Sequence, residues 1–185
     1  RTNQIVGRIG TAGAKMAEFG INYGIFREAI MVQMTWPGAP TLYYGDEAGV
    51  CGWTDPDNRR TYPWGFEDFE LIEYHRYLID LHKKLPALRR GSLKQLLADR
   101  QLIVYGRMSG ENKCAVIINN RGESRSVRVP VWELGITDED AITRMMLSDE
   151  KGYNAGRIDY RADHGWLTMD VPAHSGVLLA SGALV

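Results

Sequence analysis

The spacing of apolar residues changes once along this chain, near Gly91, and this change constrains the fold more than any other feature. Before that point, apolar residues recur every three or four positions, which is the period of an α-helix. After it, the sequence breaks into short β-branched and aromatic runs separated by turn residues, which is typical of strands. The chain is therefore predicted to combine an α/β part with an all-β part.

Two helices are predicted in the first part. The first extends from Ala14 to Met34, and its second half, Ala29–Met34, is apolar on nearly every side, which indicates burial between two layers. The run Trp36-Pro37-Gly38 ends it, because proline removes an amide donor and glycine allows a turn. A second helix ends before Pro86. Its apolar stripe consists of Leu71, Tyr74, Leu78, Leu81 and Leu85.

A short strand and a long loop are predicted between these helices. The run Thr41–Tyr44 is β-branched and aromatic and leads into Gly45-Asp46-Glu47. A helix, a Pro/Gly turn and a short strand form half of an α/β repeat, in which functional groups cluster in the loops after strand ends. The loop from Gly45 to Phe66 is much longer than the usual connection, and such loops tend to be functional.

Beyond Gly91 the pattern predicts about eight short strands, which favours an antiparallel β-sandwich. The boundary falls near Ala87–Gly91, so that residues 1–88 form the α/β part and residues 89–185 form the sandwich. The predicted strands are Leu93–Leu97, Leu102–Arg107, Cys114–Asn119, Ser126–Val131, Thr143–Leu147, Arg157–Tyr160, Trp166–Val171 and Gly176–Ala180.

The charge balance argues against some classes of partner. The chain has 22 Lys and Arg residues against 23 Asp and Glu, a formal charge of −1, which is not the basic footprint of a nucleic-acid-binding protein. No run approaches the roughly 18 apolar residues of a membrane span, and no signal-peptide pattern opens the chain. We therefore expect a cytoplasmic protein with no membrane or nucleic-acid partner. The chain begins at Arg1 and its first methionine is Met16, so we also expect a piece of something longer.

Neither a metal site nor a cofactor is predicted. The two cysteines, Cys51 and Cys114, lie far apart, and the four histidines form no pair with zinc-ligand spacing. The run Asp55-Pro56-Asp57-Asn58 resembles the start of a calcium loop, but no glycine follows at its sixth position and the twelfth position is Phe66.

Aromatic and charged residues are concentrated in the middle of the long loop. Aromatic rings with carboxylates, amides and guanidinium groups are what a sugar requires, because a sugar ring has apolar C–H faces and a rim of hydroxyls. Equally, Asp–Arg pairs could brace the loop over packed aromatic rings, and composition alone leaves both interpretations open. The residues are Trp53, Asp55, Asp57, Asn58, Arg59, Arg60, Tyr62 and Trp64.

The run GAPTLYYGDEAGVCGWTDPDNRRTYPWG, from Gly38 to Gly65, closely resembles the eighth-strand region of the α-amylase superfamily, glycoside hydrolase family 13. It is most similar to the neopullulanase, cyclomaltodextrinase and α-glucosidase branch. The resemblance implies the last helices and the eighth strand of a (β/α)8 barrel, followed by the β-sandwich called domain C.

The resemblance also implies retaining cleavage of α-glucosidic bonds by an aspartate nucleophile, a glutamate acid/base and a supporting aspartate. In the family these residues follow strands four, five and seven, and no His-Asp pair of the kind that carries the third one occurs before Thr41. No catalytic residue is therefore assigned, and the chain alone is expected to be inactive. Asp55 and Arg59 match positions that contact the glycone-side sugar, and Trp53 and Trp64 are the aromatic candidates for the same subsite.

The expected partners follow from the same resemblance. They are an α-glucan or maltooligosaccharide in the intact enzyme, the missing N-terminal portion of the barrel, and a second copy of the chain, because a lone barrel strand exposes its edges. The alternative is a free-standing carbohydrate-binding or interaction module built on the β-sandwich, although its aromatic residues are scattered at spacings that suit a core.

Overall fold

A computed structural model describes residues 20–182. The first helix, α1, comprises Tyr23–Thr35 and begins at Asn22, whose side-chain Oδ1 accepts a hydrogen bond from the backbone N–H of Ile25 at 3.1 Å. Within the described residues, the helix predicted from Ala14 begins only at Tyr23. Residues 14–19 of the prediction lie outside the described part of the chain. The helix ends one residue before Trp36, which is extended as expected for a residue that precedes proline.

The second helix, α2, comprises Phe69–Lys84 and is capped by the Asp68 carboxylate, which accepts a hydrogen bond from the N–H of Leu71 at 3.1 Å. A short helix, α3, follows at Pro86–Arg90, with proline in its first turn where no amide donor is needed. The apolar stripe predicted for the second helix is confirmed, because its five members are all buried. Two short 3-10 helices comprise Asp57–Arg59 and Val131–Leu134.

Nine strands follow among the described residues, in close agreement with the predicted runs. The exception is the three-residue strand β6, whose Gly-Tyr-Asn sequence carries too little pattern to be recognised. The strands are β1 Ser92–Asp99, β2 Leu102–Ser109, β3 Asn112–Asn119, β4 Arg125–Pro130, β5 Ile142–Asp149, β6 Gly152–Asn154, β7 Ile158–Tyr160, β8 Trp166–Val171 and β9 Ser175–Ser181.

The strands form two antiparallel sheets. The larger has the order β1-β2-β3-β9-β5-β6, with β7 also paired to β5, and the smaller consists of β4 and β8. Strand β9 therefore lies between β3 and β5 although it is the last in sequence. The register runs without interruption from Lys113 opposite Ser181 to Asn119 opposite Ser175.

The larger sheet is covered on both faces, so its central strands are apolar at nearly every position. On β3, Cys114, Val116 and Ile118 pack in one core with the helices, whereas Ala115 and Ile117 pack in a second core with β4 and β8. The result is three layers, in which the two sheets form the predicted sandwich and the helices cover its outer face. This explains why alternation was weak in the sequence of β3 and β9.

One predicted element is wrong in the structure: the run Thr41–Tyr44 forms no strand. Its backbone instead enters turns, in which Tyr43 accepts a hydrogen bond from Asp46 N–H at 3.1 Å and Gly45 accepts from Val50 N–H at 2.8 Å. A strand needs a neighbour for its amide and carbonyl groups. Within residues 20–182 no strand adjoins this run, so local turns satisfy those groups.

The predicted boundary at residues 88/89 stays a prediction. Helix α3 spans it, and Leu88 shares a core with Leu78 of α2 and Val116 of β3. Among the described residues, no helix is long and apolar enough to cross a bilayer.

Candidate functional site

The long loop between α1 and α2 holds the predicted site residues. At its base, the N–H of Asp68 donates to the carbonyl oxygen of Ala48 at 3.1 Å. Across the loop, the Tyr44 hydroxyl donates to the carbonyl oxygen of Arg60 at 2.9 Å. These two bonds hold a long irregular segment in place without a strand.

Asp57 organises the turn in the middle of the loop. One carboxylate oxygen accepts the backbone N–H of Trp53 at 2.6 Å, and the two oxygens receive Nε and Nη2 of Arg60 at 3.1 and 3.0 Å. The hydrogen bond from Arg60 is the main reason why the pKa of Asp57 lies below its usual range. Asp57 and Arg60 therefore brace the loop, as one of the two interpretations of its composition predicted.

Asp55 and Arg59 form a second, outward-facing pair. The Arg59 Nε lies 3.0 Å from Asp55 Oδ1, while the two side chains are 61% and 67% exposed. An exposed ion pair of this kind adds little stability. What it provides is a carboxylate acceptor and guanidinium donors side by side at the surface, which is the pattern that adjacent sugar hydroxyls can use.

The two tryptophans predicted to bind sugar, Trp53 and Trp64, lie in different environments. Trp64 is 78% exposed, and its ring centroid lies 4.6 Å from that of Tyr62. Trp53 is only 6% exposed, so its ring is closed to a ligand that approaches from solvent in this conformation. The structure thus brings Asp55 and Arg59 together, keeps Trp64 at the surface and buries Trp53.

Exposed aromatic rings extend well beyond the predicted positions. We name these exposed residues the aromatic surface. The sequence signal for them is the density of aromatic residues on both sides of the long loop, beyond the stretch from Trp53 to Trp64. Its members are Trp36, Tyr43, Tyr44, Trp64, Phe66 and Phe69.

An open groove of about 460 Å³ lies beside the bracing pair rather than beside Asp55 and Arg59. Its walls are residues 48–51 on one side and Arg60, Thr61, Pro63 and Phe66 on the other. A metal is not implied by the geometry: over residues 20–182, no three His, Cys, Asp or Glu side chains lie close enough together to hold one.

Several curated proteins resemble this chain in sequence. It is 32% identical over 167 residues to an amylopullulanase of Thermoanaerobacterium thermosulfurigenes, a match that covers 83% of this chain and 8% of the relative. It is 40% identical over 120 residues to neopullulanase 2 of Thermoactinomyces vulgaris, covering 63% of this chain and 20% of the relative. A cyclomaltodextrinase of Geobacillus thermopakistaniensis is 37% identical over 105 residues, 55% of this chain and 18% of the relative. The chain thus spans a fifth or less of these relatives. No protein-family model matches it.

Solved structures of a debranching enzyme and an α-amylase also resemble this chain. A debranching enzyme of Nostoc punctiforme superposes with a TM-score of 0.67 at 28% identity, covering 91% of this chain and 31% of that one. An α-amylase of Anoxybacillus superposes with a TM-score of 0.73 at 23% identity, covering 88% and 33%, which is a likeness of fold.

Proposed function

The chain belongs to the α-amylase superfamily, glycoside hydrolase family 13, and matches the C-terminal part of its members; on this premise we propose that it is part of a retaining hydrolase of α-glucosidic bonds in α-glucans. The homologues' names, amylopullulanase, neopullulanase and cyclomaltodextrinase, support this substrate class. The resemblance of residues 38–65 to the eighth-strand region supports the place of the chain in the whole enzyme.

The exposed pair of Asp55 and Arg59 carries the proposal. Both side chains remain largely open to solvent although they lie 3.0 Å apart, and the separate pair of Asp57 and Arg60 already braces the loop. Asp55 and Arg59 are therefore free to exchange hydrogen bonds with sugar hydroxyls. Trp64 supplies an open ring for a sugar face, and Trp53 supports the turn from below.

In this proposal, the sugar contacts and the catalytic carboxylates lie in different parts of the enzyme. A retaining mechanism needs two carboxylates about 5 Å apart across the anomeric carbon. The family places both on loops that precede the eighth strand, so this chain contributes sugar contacts and the remainder contributes the chemistry. Alone, the chain binds sugar weakly and hydrolyses nothing.

The aromatic surface fits the same proposal. In the intact enzyme, the remainder of the barrel covers part of it and gives the run Thr41–Tyr44 the neighbours that a strand requires. In the isolated chain, a second copy takes that place, because burial of exposed aromatic rings against another surface is favourable. Light scattering on the isolated chain tests this: a dimer or larger species is expected, and a monomer at all concentrations contradicts it.

A second candidate function is a sugar-binding surface on the sandwich. The observation that favours it is Trp132, which is 56% exposed. Its side chain lies against the backbone of Gly165, where an added Cβ atom would lie 2.8 Å from the Trp132 Cβ. In the smaller sheet, the guanidinium carbon of Arg128 on β4 lies 4.4 Å from the ring centre of Trp166 on β8.

One titration separates the two candidates. Maltoheptaose is added to ¹⁵N-labelled chain, and the indole N–H signals of the five tryptophans are followed by NMR. A shift of the Trp64 signal that is lost in Arg59→Ala supports the loop. The matched control is Arg76→Ala, which removes an equally exposed arginine paired with Glu73. A shift confined to Trp132 or Trp166 contradicts the loop and supports the sandwich.

A separate assay tests the proposal that the isolated chain hydrolyses no α-glucosidic bond. The purified chain is incubated with maltoheptaose and with p-nitrophenyl α-glucoside, and no product above background is expected. Turnover that survives further purification and is lost on substitution of a residue of this chain would overturn the proposed division of labour.

A further inference from the structure

Glu28 is a carboxyl buried at the junction between helix α1 and the sheet. Only 3% of the residue is exposed, and Oε2 accepts a hydrogen bond from the Asn120 side chain at 2.7 Å. The other oxygen, Oε1, is buried and has no hydrogen-bond partner among residues 20–182. No arginine or lysine in that part of the chain forms an ion pair with it.

The junction is built from three sheet turns that meet the start of α1. Asn120 lies between β3 and β4, Glu150 between β5 and β6, and His174 between β8 and β9. The His174 Nδ1 lies 2.6 Å from Glu150 Oε1, which also accepts a hydrogen bond from the Asn22 side chain at 2.7 Å. The helix approaches so closely that a Cβ at Gly24 would lie 2.6 Å from the carbonyl oxygen of His174.

Such a junction responds to the charge of Glu28. A buried carboxylate without a cation or a second hydrogen bond is poorly solvated, whereas the neutral acid is not penalised in this way. Burial raises the pKa of Glu28 to about 7, while the Asn120 hydrogen bond and the charge of His174 oppose the rise. A raised pKa means that the folded junction takes up a proton that the open one releases to water.

We propose that Glu28 is a proton-linked latch: helix α1 stays docked on the three sheet turns while this carboxyl is protonated and opens from them as it ionises. No neighbouring group in the described part of the chain takes over this role of Glu28, because each is held in one charge state or paired with another residue. Hydrogen bonds from His174 and Asn22 keep the pKa of Glu150 below its usual range, and burial keeps that of Tyr74 above its own. Arg27 pairs with Glu70, and Arg121 with Asp99. Within residues 20–182, Glu28 interacts electrostatically with His174 of a sheet turn and Tyr74 of α2. Arg27 precedes it on α1, while Glu150 and the backbone of Arg121 both contact His174.

The latch has a consequence for the long loop, which rests on the proposed function. After helix α1 ends at Thr35, the chain continues through Trp36 into the loop that carries Asp55 and Arg59. Opening of α1 frees the start of that segment, so sugar contacts weaken as the pH rises towards about 7 and change little above it.

Hydrogen exchange tests the latch without any sugar, so its outcome is independent of the proposed function. The opening constants of α1 amides are measured between about pH 5.5 and 8 and compared with those of β3. Below about pH 7 the opening constant of α1 in the wild type is expected to rise by up to about tenfold per pH unit, the limit for one linked proton, and to level off above it, where both states are ionised. Glu28→Gln keeps a hydrogen-bond acceptor for Asn120 and is expected to show no such dependence. The matched control Glu139→Gln, at an exposed glutamate, is expected to behave like the wild type.

Two further measurements keep the proposal falsifiable if the glutamine variant folds poorly. A ¹³C titration of the glutamate carboxyls in the wild type should show one midpoint near 7; if all midpoints lie near the ordinary value, the latch is overturned. His174→Asn should retain the dependence and move it to higher pH, because a charge that lowers the pKa of Glu28 is removed. Loss of the dependence in His174→Asn but not in Glu28→Gln would assign it to the imidazole and overturn the proposal.

Discussion

Arg107 of strand β2 donates a hydrogen bond to the carbonyl oxygen of Thr35, the last residue of helix α1, although the two are 72 positions apart in the chain. A second nitrogen of the same guanidinium donates to the carbonyl oxygen of Gly91 at 2.9 Å. The last turn of α1 contains no basic residue, so the sheet supplies the cation that the negative end of the helix dipole favours. This one buried side chain ties together the end of α1, the end of α3 and the larger sheet.

Replacing Arg107 should therefore destabilise the chain through its helix ends. We expect Arg107→Met to lower the free energy of unfolding by about 1–3 kcal/mol, since two carbonyl groups lose a charged donor. Arg107→Lys should recover less than half of this, because a single ammonium cannot reproduce the fork of a guanidinium. Urea denaturation measures both. Arg128→Met, at an exposed arginine of β4, is the control and should change little; equal effects at the two sites would contradict the assignment.

The caps of the two long helices should differ in their response to charge. Asn22→Ala and Asp68→Ala each remove a side-chain acceptor for a first-turn N–H and should each cost about 1 kcal/mol. Asp68→Asn should be nearly neutral. Asn22→Asp retains the cap yet places a second carboxylate beside Glu150, so it should destabilise at neutral pH and recover in acid. Thermal unfolding at two pH values is the readout, and a pH-independent Asn22→Asp variant would contradict the Asn22–Glu150 contact.

The turn organised by Asp57 should loosen in acid. A carboxyl whose pKa is depressed in the folded state stabilises at pH values above its unfolded pKa, and that contribution disappears as the pH falls through the folded pKa. The backbone amide signal of Trp53, which donates to Asp57, should therefore shift only as the pH falls below the ordinary range of aspartate pKa values. Asp57→Asn should abolish this shift. Asp55→Asn is the matched control and should preserve it, because Asp55 does not receive that amide.

Close approach of α1 to the sheet should make Gly24 intolerant of a side chain. A Cβ there would lie 2.6 Å from a backbone carbonyl oxygen, that of His174, so the helix itself must move. We expect Gly24→Ala to cost about 1–3 kcal/mol despite the better helix propensity of alanine. At Gly122 the nearest atom to an added Cβ is 3.7 Å away, and Gly122→Ala should be nearly neutral in the same denaturation experiment. A neutral Gly24→Ala would show that the junction is looser than the structure indicates.

Local patterns in the sequence were sufficient for most elements. The stripe of α2 and the β-branched runs of the sandwich are repeated signals, each supported by several residues, so those elements lie where they were predicted. The family was also recognisable from the run between Gly38 and Gly65, because motif residues are local by nature. The pairing of Asp55 with Arg59 is likewise a local contact, four residues apart.

Only the tertiary structure decided which groups meet over long distances. Thr41–Tyr44 has the composition of a strand, but a strand exists only with a neighbour, and within residues 20–182 none adjoins it. Trp53 and Trp64 are alike in sequence, yet one is buried and the other open, since burial depends on what packs against each ring. Nothing local links Glu28 to Asn120 or Arg107 to Thr35. The sequence by itself thus determined the two long helices, most strands and the family, because those depend on neighbours along the chain, whereas the short helix α3 was not predicted. The polar contacts that hold α1 to the sheet were decided in three dimensions, because their partners are brought together only by folding.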